Sequence, residues 1–235
     1  MNSSISTLTV RLLLIVSAVG VNRTCAETNS VRISPFLKAS PAYQQATLRL
    51  MLDEANVYAS RLKLPEKLPL TAESLKEKFV APPHLATGFG ALGSLRTTNF
   101  SYGFGKGRHL SYIMRLPKDK SNRPLYDRLK PWAIDPARVD TNAAYMMATQ
   151  FLVNAFVDLP RLSSAKVSIE PMTVLDMTTC IYTVEWQRGG NPIALVTLAK
   201  PKAELWTLRV EDPELILRPA LSVNLPAGDD TGPTK

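Results

Sequence analysis

Two stretches of helical periodicity, each closed by a Leu-Pro pair and each followed by runs that alternate with a period of two, constrain this chain more than any other feature. The first opens at Ser40-Pro41, an N-cap residue followed by proline at the first helical position. Leu48, Met51, Leu52, Ala55, Ala59 and Leu62 then line one face, with Gln45, Arg49, Asp53 and Asn56 off it. The pattern predicts a helix over 42–62 that stops before Pro65, because proline disfavours helical geometry in the preceding residue. The second stretch takes Thr141 as its cap and covers 142–157, ending at Leu159-Pro160. Its stripe is Ala144, Met147, Ala148, Phe151, Leu152 and Ala155. Tyr145, Met146, Val153 and Phe156 add apolar area around it, which predicts burial on more than one side.

The alternating runs read as hairpins. Phe100, Tyr102 and Phe104 share a face within 97–104, Gly105-Lys106-Gly107 turns, and Leu110, Tyr112 and Met114 alternate back. A strand at 165–169 precedes a second hairpin, in which 179–187 alternates, Arg188-Gly189-Gly190-Asn191 turns, 193–200 returns and 204–211 adds a further strand. Thr97-Thr98-Asn99-Phe100-Ser101-Tyr102 lies against Thr178-Thr179-Cys180-Ile181-Tyr182-Thr183, and both runs lead to a glycine-rich turn. The expected fold is therefore α+β, built from two similar units, each a long helix packed on its own antiparallel sheet. The units are 27–116, with a short charged helical insert at 71–84, and 140–216. A basic, proline-rich linker at 117–139 joins them in extended form, and 217–235 is expected to be a disordered tail.

Residues 12–21 carry no charge and follow Arg11, a run too short for the roughly 20 apolar residues that span a bilayer. With Thr24-Cys25-Ala26 behind it, the run reads as a secretory signal over 1–26, with Gly20 as an earlier cut. The expectation is a secreted or periplasmic protein with no transmembrane segment after cleavage. The chain beyond Ala26 carries 26 basic and 20 acidic residues, a net charge of +6. Cys180 is then the single cysteine, so the fold must rely on its core rather than on a disulfide. One cysteine and two distant histidines, His84 and His109, do not make a closed metal site, and neither a metal nor another cofactor is expected.

Residues with chemistry to offer each have a plainer reading. Gly103-Phe104-Gly105-Lys106-Gly107-Arg108-His109 has the composition of an anion-binding loop, yet strands flank it where such loops need a helix N-terminus, so it reads as a hairpin turn. Cys180 sits in an alternating strand as a small apolar group, and Ser101, Ser111 and His109 share a hairpin without a Gly-x-Ser-x-Gly elbow. Asp53-Glu54 and Glu211-Asp212 read as solvated charges. No catalytic residue is assigned.

Within 115–138 seven basic residues stand against three acidic ones. Lys118, Lys120, Arg123, Arg128 and Lys130, with Tyr126 and Trp132 as stacking partners, are candidates for holding a polyanion; a nucleic acid is not expected outside the cell. The plainer reading folds those aromatics back onto the body of the protein.

Ser40 to Glu211 resembles secreted proteins of verrucomicrobial-type bacteria that carry no assigned activity. The likeness is clearest in Leu205-Trp206-Thr207-Leu208-Arg209-Val210-Glu211-Asp212-Pro213-Glu214-Leu215. The helix-then-sheet order also resembles cystatin-like and PepSY-like units of exported proteins. The Gln-x-Val-x-Gly loop of cystatin-type inhibitors is absent, since the turns read Gly105-Lys106-Gly107 and Gln187-Arg188-Gly189-Gly190. A shared layout does not confer a function.

The expectation is a non-catalytic binding or protein-interaction module for a protein or small-molecule partner. Tyr102, Arg108, His109, Tyr112, Tyr182 and Trp186 would line its helix–sheet clefts. The alternatives are a secreted hydrolase whose acid and base are scattered in sequence, and envelope-surface attachment through the basic linker.

Overall fold

The computed structural model describes residues 40–83, 91–117 and 124–222. The signal segment, His84, Lys118, Lys120, Arg123 and the chain after residue 222 lie outside the described residues.

Helix α1 spans Pro41–Arg61, and the Ser40 hydroxyl accepts a hydrogen bond from the Tyr43 N–H at 3.2 Å, as its capping role requires. After it come β1 (Glu77–Val80), β2 (Gly93–Arg96), β3 (Phe100–Phe104) and β4 (Leu110–Arg115). A short helix α2 (Leu125–Leu129), α3 (Thr141–Asn154) and a single turn α4 (Leu159–Leu162) lead into β5 (Lys166–Val174), β6 (Met177–Arg188), β7 (Asn191–Ala199) and β8 (Glu204–Val210). The cap of α3 is Asp140, one residue before the expected Thr141; its carboxylate accepts from the Ala143 N–H at 3.0 Å. The helix stops at Asn154 rather than 157 because Phe156 takes a left-handed φ of 61°, which a helix cannot continue through.

The eight strands form one antiparallel sheet in the order β1-β2-β3-β4-β8-β7-β6-β5. This overturns the expectation of two helix-on-sheet units. The two runs of four strands share a single sheet through the β4–β8 pair, where Ile113 lies opposite Leu208. Separate sheets would leave β4 and β8 as open edges, and pairing them satisfies both ladders.

Apolar side chains run unbroken across that seam. Leu95, Tyr102, Ile113, Leu208, Val196, Val184 and Ile169 are cross-strand neighbours in one row from β2 to β5. Met51, Ala55 and Tyr58 of α1 and Ala148, Phe151 and Leu152 of α3 pack into the same cluster, so both helices serve one core.

Four further expectations are corrected. The insert at 71–84 is not a charged helix: Ala72–Ser74 make one 3₁₀ turn and Glu77–Val80 add an edge strand to β2. From 124 on the linker is not extended, since α2 and a 3₁₀ turn at Lys130–Trp132 fold Tyr126, Leu129 and Trp132 onto Ile181, Ala199 and Trp206. Trp132 and Trp206 meet edge to face, with ring centroids 5.6 Å apart. The segment 217–222 is ordered, tied to the body by backbone hydrogen bonds from Leu217 to Phe156 and from Leu221 to Arg108. Finally, α3 buries one side only, leaving Met146 71% exposed. The aligned run at 178–183 lies wholly in β6, the second strand of the last four, whereas 97–102 covers the β2–β3 turn and only the start of β3, the third strand of the first four.

The two turns behave as read. Gly107 has φ of 70°, the left-handed conformation that the β3–β4 turn needs. The second turn falls between Arg188 and Asn191, as predicted.

Candidate functional site

The chemistry-bearing residues named from sequence do not gather in one cleft. Tyr102 is fully buried in β3, and its hydroxyl donates to Glu66 Oε1 at 3.5 Å. Glu66 also accepts from Thr97 Oγ1 and, at 3.3 Å, from Asn99 Nδ2. Burial, and then the neighbouring Glu66 carboxylate, hold the Tyr102 hydroxyl well above its ordinary pKa. A depression of about 180 Å³ opens above this group, lined by Glu66, Lys67, Leu70, Ser74 and Thr97–Asn99. The carboxylate is committed to fastening the loop after α1 onto the β2–β3 turn.

Arg108 accepts a backbone hydrogen bond from Leu221, and His109 feels the charge of a buried ion pair that the sequence hides. Arg218 grips Glu54 with two hydrogen bonds, Nε to Oε1 at 2.8 Å and a terminal nitrogen to Oε2 at 2.6 Å. The Glu54 side chain is 4% exposed, so the charge lies inside the protein rather than on a solvated helix face. The guanidinium groups of Arg61 and Arg218 lie 4.2 and 4.8 Å from the centre of the Phe156 ring, and Tyr58 meets that ring edge-on. Burial raises the Tyr58 hydroxyl, with Glu54 adding to the rise and Arg218 opposing it. Burial lowers His109, against a weaker opposing pull from Glu54. With both Glu54 oxygens held by Arg218, the cluster clasps the 217–222 segment to α1. It does not present a free acid or base.

The β3 residue Ser101 and the β4 residue Tyr112 alternate with the core-facing Tyr102 and Ile113. Tyr112 lies over Gly103, where a Cβ would fall 1.9 Å from its ring, so only glycine admits that ring. Tyr182 is buried, and its hydroxyl accepts from the Asp140 N–H at 3.1 Å. The Asp140 carboxylate is held low, first by the Lys200 ammonium 2.6 Å away and then by its capping bond to Ala143. Of the linker candidates within the described residues, Lys130 is exposed and Arg128 half-buried, while Tyr126 and Trp132 are committed to the sheet. Cys180 is buried, and that burial raises its thiol. Among the described residues no three His, Cys, Asp or Glu side chains come together, and no helix is long and apolar enough to cross a membrane.

Trp186 marks a different kind of place. It floors a groove of about 220 Å³ between α3, α4 and β5, lined also by Tyr145, Thr149, Leu159, Leu162, Ser163, Ala165 and Val167. Tyr145 leans over Trp186 with ring centroids 6.1 Å apart. Strand β5 forms the outer wall, and among the described residues it pairs with β6 alone. The chain therefore presents nine residues of edge strand beside an apolar groove. The opposite edge, β1, has four residues and exposes Glu77, Lys78 and Phe79.

No family model, curated protein or solved structure matches this chain. The reading of its function rests on its own residues.

Of the residues named from sequence, Trp186 lies at the groove and Tyr182 does not, and sequence reasoning missed the acidic residues that organise the interior. Glu54 sits three positions after Met51 and four before Tyr58, which places it on the buried side of α1. That offset was the one available signal, and it pointed to no partner 164 residues away. Glu66 lies in a loop, where periodicity says nothing.

Proposed function

We propose that this is an exported, non-catalytic protein-interaction module that takes an extended polypeptide along β5, with side chains entering the groove over Trp186. The observation that carries the reading is the pairing of a long, one-sided edge strand with an apolar groove. An edge strand offers a row of free N–H and C=O groups, and an added strand uses them while adjacent pockets take alternate side chains. At about 220 Å³ the groove is below the roughly 300–1,000 Å³ of drug-sized ligand pockets. It suits one or two side chains of a strand better than a whole cofactor. Export rests on the uncharged run at 12–21.

The test is selection of a random-peptide display library on the immobilised full chain, followed by hydrogen exchange with the selected peptides. Slowed exchange at 166–170, with binding lost in Val167→Lys and reduced in Tyr145→Ala, supports the reading. Peptides that protect another strand, or that bind Val167→Lys unchanged, overturn it.

A further inference from the structure

The β5 edge carries a charge pattern that selects its partner. Lys166 and Glu170 are exposed, opposite in sign and equidistant from Ser168. Their directly opposite β6 neighbours, Gln187 and Thr183, are uncharged, with Glu185 between them opposite Ser168. Val167 and Ile169, also equidistant from Ser168, lie opposite Trp186 and Val184 on the core face of the sheet.

Two antiparallel copies of this strand related by a two-fold axis at Ser168 would bring complementary residues together throughout. Lys166 of each copy falls opposite Glu170 of the other, Val167 opposite Ile169, and Ser168 opposite itself. Two-fold pairing demands this self-complementarity, because the same patch must serve both sides. Like charges at these positions would repel a second copy, whereas opposite charges directly across strands attract. The ladder also has a natural end. Pro171 lacks an N–H, and the β5–β6 register shifts between Pro171 and Thr173. What remains is a regular five-residue stretch centred on Ser168.

We infer that the polypeptide taken by this edge is a second copy of the same chain, paired antiparallel through 166–170 about Ser168. The inference rests on the groove reading above and specifies its partner. It joins two sheets into one and brings the two Trp186 grooves, each with an exposed Met146 on the neighbouring helix, to either side of the seam. A contact this small gives a concentration-dependent dimer rather than an obligate one.

Sedimentation equilibrium of the full chain up to about 200 µM, a range suited to such weak contacts, should show monomer and dimer in exchange. Lys166→Glu alone, or Glu170→Lys alone, turns both symmetry-related pairs into like-charge pairs and should weaken dimerisation about tenfold or more. The double swap Lys166→Glu/Glu170→Lys restores opposite signs and should recover the wild-type constant, which a general loss of folding would not. Under mild oxidation Ser168→Cys should give a disulfide-linked dimer well above the wild-type background, and Lys166→Cys, off the axis, should not. A monomer at every concentration, or single swaps without effect, overturns self-pairing. If display peptides still protect 166–170 in that case, the broader groove reading stands without it. If they do not, both fail.

Discussion

At the scale of single residues, the ionisable groups that matter are those a pattern reading takes for solvent charges. Glu54 is buried and held by two hydrogen bonds from Arg218, and Glu66 organises a loop through Tyr102, Thr97 and Asn99. His109 lies close enough to feel Glu54, yet burial dominates and lowers its pKa in the fold. The sign of the resulting pH dependence follows. A lowered folded pKa means that the unfolded chain takes up the proton first as pH falls below the ordinary histidine value of about 6.5. Stability from this group is full above that pH and is lost as pH drops through the lower folded value. In urea titrations between pH 7.5 and 5, the parent chain should lose stability as pH falls, and His109→Gln should flatten that decline. An equal slope in the two proteins would place His109 in water.

At the scale of elements, the helices and strands follow local rules, while their fastenings do not. Ser40-Pro41 starts α1 as its chemistry predicts, and Gly107 makes the β3–β4 turn. The strap at 217–222, by contrast, consists of residues that read as tail, and it is held by Arg218 on Glu54 and by two backbone bonds. Arg218→Ala leaves a carboxylate inside the protein without its partner and should cost about 3 kcal/mol, the scale for breaking a buried pair. Glu54→Leu/Arg218→Leu removes both charges and should recover much of that loss. Thermal unfolding of the three proteins decides it. A cost below about 0.5 kcal/mol for Arg218→Ala, the range of an ordinary surface substitution, would mean that the strap is not a fastening. The same element view separates the two sheet edges: β1 is short and charged, and β5 is long and stands beside a groove.

At the scale of the whole molecule, one sheet and one core replace the expected pair of units. The row from Leu95 to Ile169 crosses the β4–β8 seam, with Ile113 and Leu208 both fully buried there. Each side depends on the other for burial, so the two runs of strands should unfold together. The tryptophans, at 132, 186 and 206, lie in the later part of the chain, whereas far-ultraviolet circular dichroism reports both parts. Urea transitions followed by fluorescence and by dichroism should coincide, and Ile113→Ala should shift both together by about 2–5 kcal/mol. Separate transitions, or an Ile113→Ala effect absent from the fluorescence curve, would restore two independent halves.

Although it misread β1 as a helix and α2 as extended chain, the sequence by itself determined the two long helices, the strands from β3 onward, where their hairpins turn, and that the linker aromatics have a packing alternative to stacking on a ligand. These are decided by period, caps, glycine and proline, all of which act within a few residues. Tertiary structure alone decided that β4 pairs with β8, that Glu54 meets Arg218, and that β5 is left as the long free edge. Those outcomes depend on contacts between residues about 90 to 160 positions apart. Pairing two would-be edges and burying one continuous apolar row lowers the free energy of the whole chain, and no local pattern records that gain.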